Sequence, residues 1–343
     1  MADEAALADA MREAIALART STAPRAVNPR VGCVILAADG TVAGRGCTGP
    51  TPGAPHAEVA ALADAGAAAR GGTAVVTLEP CRHVGRTGPC TTALIEAGIV
   101  RVVFAQADPT AEAGGGAALL VAEGIAVSGG LLRDDAEAVN LAWTFAAVTG
   151  RPLVTWKCAS SLDGRVAAAD GGPTAITGAL AHEQVHELRA EVDAIVVGTG
   201  TVLVDDPLLT ARRSVAPPPV QPLRVVLGSR QLPPGARVLD GSAPTLVLDE
   251  PDPAAVLSLL HDRGVRHVLL EGGPTLAAAF LSARLVDRVH WYVAPLLLGD
   301  GPVALPAMPQ LTGPPPGVDV EQVSIVGEDV RVVGWIRYEQ AGA

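Results

Sequence analysis

Thr73-Ala74-Val75-Val76-Thr77-Leu78-Glu79-Pro80-Cys81 is the stretch on which the fold of this chain turns. Its first six residues are apolar or β-branched and read as a buried strand, and Glu79-Pro80 stops that strand so that Cys81 sits at its end. Working outward, His56-Ala57-Glu58 lies upstream, with Gly53-Ala54-Pro55 as a loop ending at the histidine and Ala57–Ala69 as an alanine-rich helix. Downstream, Cys90 stands immediately before a second helix, Thr91–Ala97. One imidazole and two thiols therefore gather at strand ends and helix N-termini, where the helix dipole favours thiolate. His56, Cys81 and Cys90 are a ligand set for Zn²⁺, with a fourth position left for water. Each feature alone is ordinary, since His-x-Glu is common and a buried cysteine usually behaves as a small hydrophobe. The combination in this context is what carries the reading.

Glu58, two residues from the histidine, is placed to act beside the metal rather than on it. In zinc deaminases of nucleobases a carboxylate in this position shuttles protons between the metal's water and the leaving amine. The general signature, H-x-E followed by P-C-x-x-C, is met in its first two parts. It is broken in the third, because Arg82 to Pro89 separate the two cysteines.

Composition limits the alternatives. A chain of 343 residues is long enough for two domains, and with 49% apolar but only 3% aromatic residues its core is built from Ala, Val and Leu. A net charge of −11 argues against nucleic acid as the main partner, because phosphate binding needs a basic surface. Of five cysteines, Cys33, Cys47 and Cys158 remain after the zinc ligands, an odd remainder that fits a reducing cytoplasm better than a disulfide framework. Ala2–Thr20 is an acidic amphipathic helix without a basic leader, and no apolar run reaches the 18 or so residues that span a bilayer. The expected location is the cytoplasm, with no membrane partner. Lys157 is the single lysine beside 24 arginines.

Elements alternate along both halves. The first reads as helix Glu4–Ala18, strands Gly32–Leu36 and Val42–Cys47, then the helix, strand and helix already named. A strand Arg101–Ala105, a helix after Gly116, a short strand near Ile125 and a helix Asp134–Val148 follow. Gly150-Arg151-Pro152 breaks that last helix, which sets a boundary between residues 1–149 and 150–343. The second half has strands at Leu153–Lys157, Ala194–Val197, Leu223–Leu227, Thr245–Leu248, His267–Leu270 and Arg288–Ala294, and a closing pair near Val323–Val326 and Val330–Ile336. Helices fit His182–Ala190, Pro253–Asp262 and Pro274–Ala283, and the proline-rich stretches Ala216–Pro222 and Pro314–Gly317 read as loops. Both halves are α/β, each a sheet covered by helices.

In order along the chain, Asn28-Pro29-Arg30-Val31-Gly32, His56-Ala57-Glu58, Glu79-Pro80-Cys81 and the eight-residue excursion to Cys90 match a known pattern. So do Ser161-Leu162-Asp163-Gly164-Arg165, Gly200-Thr201-Val202 with Asp205-Asp206-Pro207, and Glu271-Gly272-Gly273-Pro274-Thr275-Leu276. Over essentially its whole length the sequence resembles the bifunctional deaminase/reductases of riboflavin biosynthesis. The resemblance implies a cytidine-deaminase-like three-layer domain followed by a dihydrofolate-reductase-like α/β domain. The first would use zinc to remove the 2-amino group of a 2,5-diamino-6-(phosphoribosylamino)pyrimidinone. The second would use NADPH to reduce the ribose to a ribityl chain. Position by position, it gives Asn28 and Arg86 as substrate contacts of the deaminase. It gives Arg189, Leu209, Arg212 and Glu271 as substrate contacts of the reductase, and Ala159, Thr201, Asp205, Ser229 and the Gly273–Ala279 segment, with Gly273, Pro274 and Thr275, as cofactor contacts. The two arginines suit a phosphate, which a guanidinium binds through paired hydrogen bonds. A homo-oligomer is expected.

The residues support part of this on their own. Gly198-Thr199-Gly200-Thr201 is a small-residue turn that lets backbone approach phosphate, and Gly272-Gly273-Pro274-Thr275 opens a helix with free N–H groups. After the strand Leu223–Leu227 comes Gly228-Ser229-Arg230, with no carboxylate for a ribose 2′-hydroxyl, which favours NADPH over NADH. Lys157, beside Ser160-Ser161 and Asp163, is a candidate donor to the sugar during ring opening.

The chain departs from the family at Val84, at Cys47-Thr48, where an aromatic-His pair is common, and at Pro173-Thr174-Ala175, where Ser-x-Trp is common. The last departure leaves a second reading open, a deaminase with a weakened or regulatory nucleotide-binding C-terminal half. A nucleic-acid-editing deaminase should instead show C-x-x-C spacing and a basic face, and the chain has neither.

Overall fold

The computed structural model describes residues 3–21, 28–83, 88–172, 174–212, 220–306, 308 and 314–339. Val84, Arg86 and Pro173, and part of the loop Ala216–Pro222, lie outside them. The chain divides into two compact units, Met1–Gly150 and Arg151–Ala343.

In the first unit α1 (Glu4–Thr20) starts from Asp3, whose carboxylate accepts the Ala6 N–H at 2.7 Å and so satisfies an orphan donor of the first turn. The strands β1 (Gly32–Leu36), β2 (Val42–Cys47) and the later β3 (Thr73–Leu78) are joined by α2 (Ala57–Ala65) and a 3₁₀ turn, Gly66–Ala69. Then come α3 (Cys90–Glu96), β4 (Arg101–Gln106), α4 (Gly116–Ala122), β5 (Ala126–Gly129), α5 (Arg133–Val139) and α6 (Leu141–Thr149). The sheet order is β2-β1-β3-β4-β5, antiparallel through β2, β1 and β3 and parallel from β3 to β5. β1 and β3 are buried along their whole length, as their unbroken apolar sequences require when both faces are covered. Val34, Leu36, Val75 and Val103 face α1 and α5, whereas Cys33, Ile35, Val76 and Val102 face α2, α3 and α4. The three layers follow from this alternation. Gly44 and Gly46 let α2 press onto β2, since a Cβ at either would lie 2.3 Å from a backbone oxygen of that helix.

Three expectations change in detail. The helix after His56 ends as α-helix at Ala65 and tightens to 3₁₀ through Ala69. The helix after the second cysteine begins with Cys90 itself. The single helix Asp134–Val148 is two, broken at Asn140, whose buried side chain is committed elsewhere.

The second unit holds β6 (Leu153–Ser161), α7 (Ala179–Glu191), β7 (Ala194–Gly198), α8 (Thr199–Asp205), β8 (Leu223–Leu227), β9 (Thr245–Leu248), α9 (Pro253–Asp262) and β10 (His267–Leu270). It closes with α10 (Pro274–Ser282), β11 (Arg288–Ala294), β12 (Gly317–Val326) and β13 (Asp329–Arg337). Eight strands run in the order β12-β13-β11-β6-β10-β7-β8-β9, parallel from β11 to β9, with β13 and β12 antiparallel at one edge. α9 and α10 cover Val154, Val196, Val225 and Leu270, while Ile195, Val197, Val226 and Leu269 pack on the other face with Val202 of α8. β6 runs on to Ser161 because β11 pairs with it from Thr155 to Ser161, so Lys157 is mid-strand rather than at a strand end. The small-residue turn after β7 is the first turn of α8, with Gly198 as its N-cap.

Candidate functional site: a three-ligand metal cluster and a cofactor-sized cleft

His56 is the N-cap of α2 and Cys90 the first residue of α3, while Cys81 follows β3. The fold brings the three together. His56 Nδ1 lies 3.2 Å from Cys90 Sγ and 3.6 Å from Cys81 Sγ, and all three ligand atoms fall within 4.8 Å of one another. A cluster of one imidazole and two thiols at this spacing fits Zn²⁺, whose bonds to such donors are a little over 2 Å long. Hydrogen bonds from Cys90 and His56 pull the Cys81 thiol down to about 4, and Cys90, which keeps the shared proton beside that thiolate, is raised. Cys81 is thus the thiol of the pair that ionises more readily.

Glu58, in the first turn of α2, is only 4% exposed and lines the same cavity of about 390 Å³. Burial pushes its carboxyl up to about 7 against the pull of His56. Asn28, Thr48, His83 and Trp143 line that cavity as well. Two side chains hold the Asn28 loop in place. The Asn140 amide accepts from Arg30 N–H and donates to Arg30 carbonyl, both at 2.8 Å. Thr48 Oγ1 accepts from Val31 N–H at 2.9 Å and lies 3.2 Å from Pro29 carbonyl. Glu79 anchors the opposite wall, its carboxylate accepting backbone N–H groups of Asp108, Gly115 and Ala117. Neither Asn140 nor Glu79 was singled out as a positioning group from the sequence.

In the second unit the cleft, about 760 Å³, lies at the carboxyl ends of β6, β7, β8 and β10, where open parallel sheets bind ligands. Lys157, Ala159, Thr201, Asp205, Glu271, Gly273, Pro274 and Thr275 all line it. Gly273 N–H donates to Thr201 Oγ1 at 3.2 Å, so this N–H ties α8 to α10 rather than standing free. Arg189 grips Glu271 with two bonds of 2.7 and 2.8 Å and sends a third N–H to the Thr210 carbonyl. Burial disfavours the Glu271 charge, but Arg189 outweighs it and, with Lys157, holds the carboxyl low.

Homology searches identify what these two sites belong to. The description "Cytidine and deoxycytidylate deaminase zinc-binding region" matches residues 5–106, and "RibD C-terminal domain" matches residues 152–332. The riboflavin biosynthesis protein RibD of Mycobacterium tuberculosis is 52% identical over 279 residues, 80% of each chain. The Acinetobacter baumannii RibD structure superposes with a TM-score of 0.88 at 34% identity, covering 98% of this chain and 100% of that one. A Thermotoga maritima diaminohydroxyphosphoribosylaminopyrimidine deaminase/5-amino-6-(5-phosphoribosylamino)uracil reductase does so with a TM-score of 0.83 at 30% identity, covering 97% and 99%. The chain belongs to the RibD family.

Membership makes it a bifunctional deaminase and reductase of riboflavin biosynthesis, with zinc and NADPH as its cofactors. Both enzymatic halves are matched, so the reading of the C-terminal half as a regulatory module is not favoured.

Within the family framework, three contacts carried over from the resemblance and one departure from it need comment. Ser229 is exposed and does not line the cleft; its neighbour Arg230 does, against the Gly200 backbone of α8. Leu209 is 2% exposed, packed in the core with φ at +52°, and does not line the cleft. Arg212 is exposed and lies beside His186. Ala175 lines the cleft in place of the family's larger side chain, and Thr174 is tied down by bonds to Ala168 and Gly172. None of the five cysteines is in a disulfide, and no helix among the described residues is long and apolar enough to cross a membrane.

Proposed function

We propose that residues 1–149 deaminate a 2,5-diamino-6-(5-phosphoribosylamino)pyrimidin-4(3H)-one and that residues 150–343 then reduce its ribosyl group. The observation that carries the first assignment is the cluster of His56, Cys81 and Cys90, two of whose members, His56 and Cys81, line one cavity with the buried Glu58. Held by those three ligands, zinc supplies an acidified water when bound. Glu58 takes a proton at its carboxylate and delivers it to the departing amine, from a buried position that bulk water does not reach. Asn28 orients the ring with its amide, and Arg86 contributes charge toward the phosphoribosyl group.

In the second unit NADPH supplies hydride when bound. Ala159, Thr201, Asp205 and Gly273–Thr275, which line the cleft, would hold it, with Arg230 of the same cleft and the neighbouring Ser229 as donors suited to a phosphate. Arg212 and Arg189 receive the substrate phosphate, Leu209 contributes backbone, and Glu271 keeps Arg189 in place through its paired bonds. Lys157 donates to the sugar oxygen as the ring opens. Its position supports this, since it lines the cleft close enough to Glu271 to stabilise that carboxylate.

Lys157→Arg is expected to slow reduction by roughly 10²-fold or more, because a bulkier planar cation cannot put a single ammonium at the same point. Ammonia release should stay at the parent rate. Equal reductase rates in parent and variant would remove Lys157 from the mechanism.

The setting proposed is the cytoplasm, in a homo-oligomer. Exposed Val318, Val320, Val323 and Ile325 along the edge strand β12 support self-association, since apolar edges of this kind are normally covered. The test of the whole reading is one assay on purified zinc-loaded protein given the diaminopyrimidine. Ammonia should appear first and NADPH absorbance should fall only afterwards. Ammonia release without any NADPH oxidation would sink the reductase half, and neither signal would sink both.

A further inference from the structure

His186 neighbours Arg189 and Arg212 and has no part in the scheme above. It lies on α7 three residues before Arg189 and is half-buried. Its Nδ1 is 3.2 Å from the Thr210 carbonyl oxygen and its Nε2 is 3.3 Å from Arg212 Nη2. A neutral imidazole has one N–H and one lone pair. With the proton on Nδ1 the ring donates to the Thr210 carbonyl and Nε2 accepts from the guanidinium; with it on Nε2 the free Nδ1 accepts the Arg212 backbone N–H at 3.3 Å, so in either tautomer the ring bonds Arg212. Burial, reinforced by Arg189 and Arg212, lowers the pKa of the ring, and Glu271, the carboxylate facing it, is already gripped twice by Arg189.

The Thr210 carbonyl is a shared anchor. It also receives Arg189 Nη1 at 3.3 Å, so both members of the α7 pair are referenced to one backbone oxygen two residues before Arg212. Arg212 itself is exposed and has no carboxylate partner among the described residues. Without the imidazole its long side chain would have no fixed direction. With it, one N–H is occupied and the others stay available to an anion.

We propose that His186 is a positioning residue that fixes the Arg212 guanidinium for the phosphate of the reductase substrate. The proposal deepens, and rests on, the reading of Arg212 as a phosphate ligand. His186 touches no reacting atom. Its effect should appear in substrate affinity rather than in the chemical step.

The test uses the full zinc-loaded chain, the deaminated phosphorylated pyrimidine, and the same compound without its phosphate. His186→Ala should raise KM for the phosphorylated substrate roughly tenfold, with kcat, the KM for NADPH and ammonia release little changed. His186→Gln, whose amide oxygen reaches the Nε2 position, should restore KM to within about twofold, whereas His186→Asn, whose amide stops near Nδ1, should not. With the unphosphorylated compound the His186→Ala effect should vanish. His186→Ala combined with Arg212→Ala should be no worse than Arg212→Ala alone. If Arg212→Ala leaves KM unchanged, the phosphate reading itself falls. If Arg212→Ala raises KM but His186→Ala does not, or if the two effects simply add, the positioning role of His186 is overturned while the phosphate reading stands.

Discussion

Glu58→Gln should lower the rate of deamination by roughly 10²–10⁴-fold while leaving the zinc content of the protein at the parent level. Glutamine has the same shape and still fits the first turn of α2, but its amide cannot pick up a proton and pass it on. The side chain is 4% exposed, so no solvent base stands in easily for it. Folding should not suffer either, because the substitution replaces a buried group whose charge is costly with a neutral one. The contrast is with Cys81→Ala and Cys90→Ala, each of which removes a ligand from the cluster and should lose metal and activity together. Metal analysis alongside ammonia release separates the two behaviours. A Glu58→Gln protein that deaminates at close to the parent rate would mean that the proton travels by another route.

Much of the deaminase half was legible because its chemistry is concentrated in sequence. His56, Glu58, Cys81 and Cys90 each announce a role by residue type, and the strand between them, Thr73–Leu78, has the bounds its apolar run predicted. What supports them was not legible. Asn140 reads as an ordinary helical residue, yet it splits a helix because its amide serves the backbone of Arg30, 110 positions away. The same holds in the reductase half. Gly198-Thr199-Gly200-Thr201 has poor helix propensity and looked like a turn, but burial of Val202 among Ile195, Val197 and Val226 makes it the start of α8. Arg189 was recognisable as a cation suited to phosphate, but not as half of a buried pair with Glu271, 82 residues on. The pairing of His186 with Arg212 left no trace in spacing, since it depends on the return of the Thr210 loop beside α7. Local patterns reveal ligands and elements; the contacts that hold them in register come from distant chain segments.

Arg224→Met should destabilise the second unit by roughly 3–5 kcal/mol, the scale for removing one partner of a buried charged network. For a unit of this size that corresponds to a fall in Tm of about 10 °C. Arg224 sits in the buried strand β8 and is 0% exposed. Its guanidinium donates from Nε to Thr245 Oγ1 at 2.9 Å, from Nη1 to Leu208 carbonyl at 3.1 Å and Asp240 at 3.0 Å, and from Nη2 to Ala243 carbonyl at 2.5 Å. Methionine can replace the stem by volume but none of the donors, so the carbonyls behind it lose their partners. Asp240 is not the main casualty. It is held down to about 2 chiefly by Ser242, and it reaches solvent, so its loss of Arg224 is tolerated. Leu208 matters more, because the next residue is Leu209, a non-glycine residue at φ +52° that needs a fixed neighbour, and Thr210 and Arg212 follow. Loosening that anchor should raise KM for the phosphorylated reductase substrate even below the melting temperature, with deamination untouched. A calorimetric scan and the two activities measure both effects. An unchanged Tm would show that the acceptors of Arg224 find other donors, and an unchanged KM at lowered Tm would show that the Leu208–Arg212 arm is held by its bonds to Arg189, His186 and Gln221.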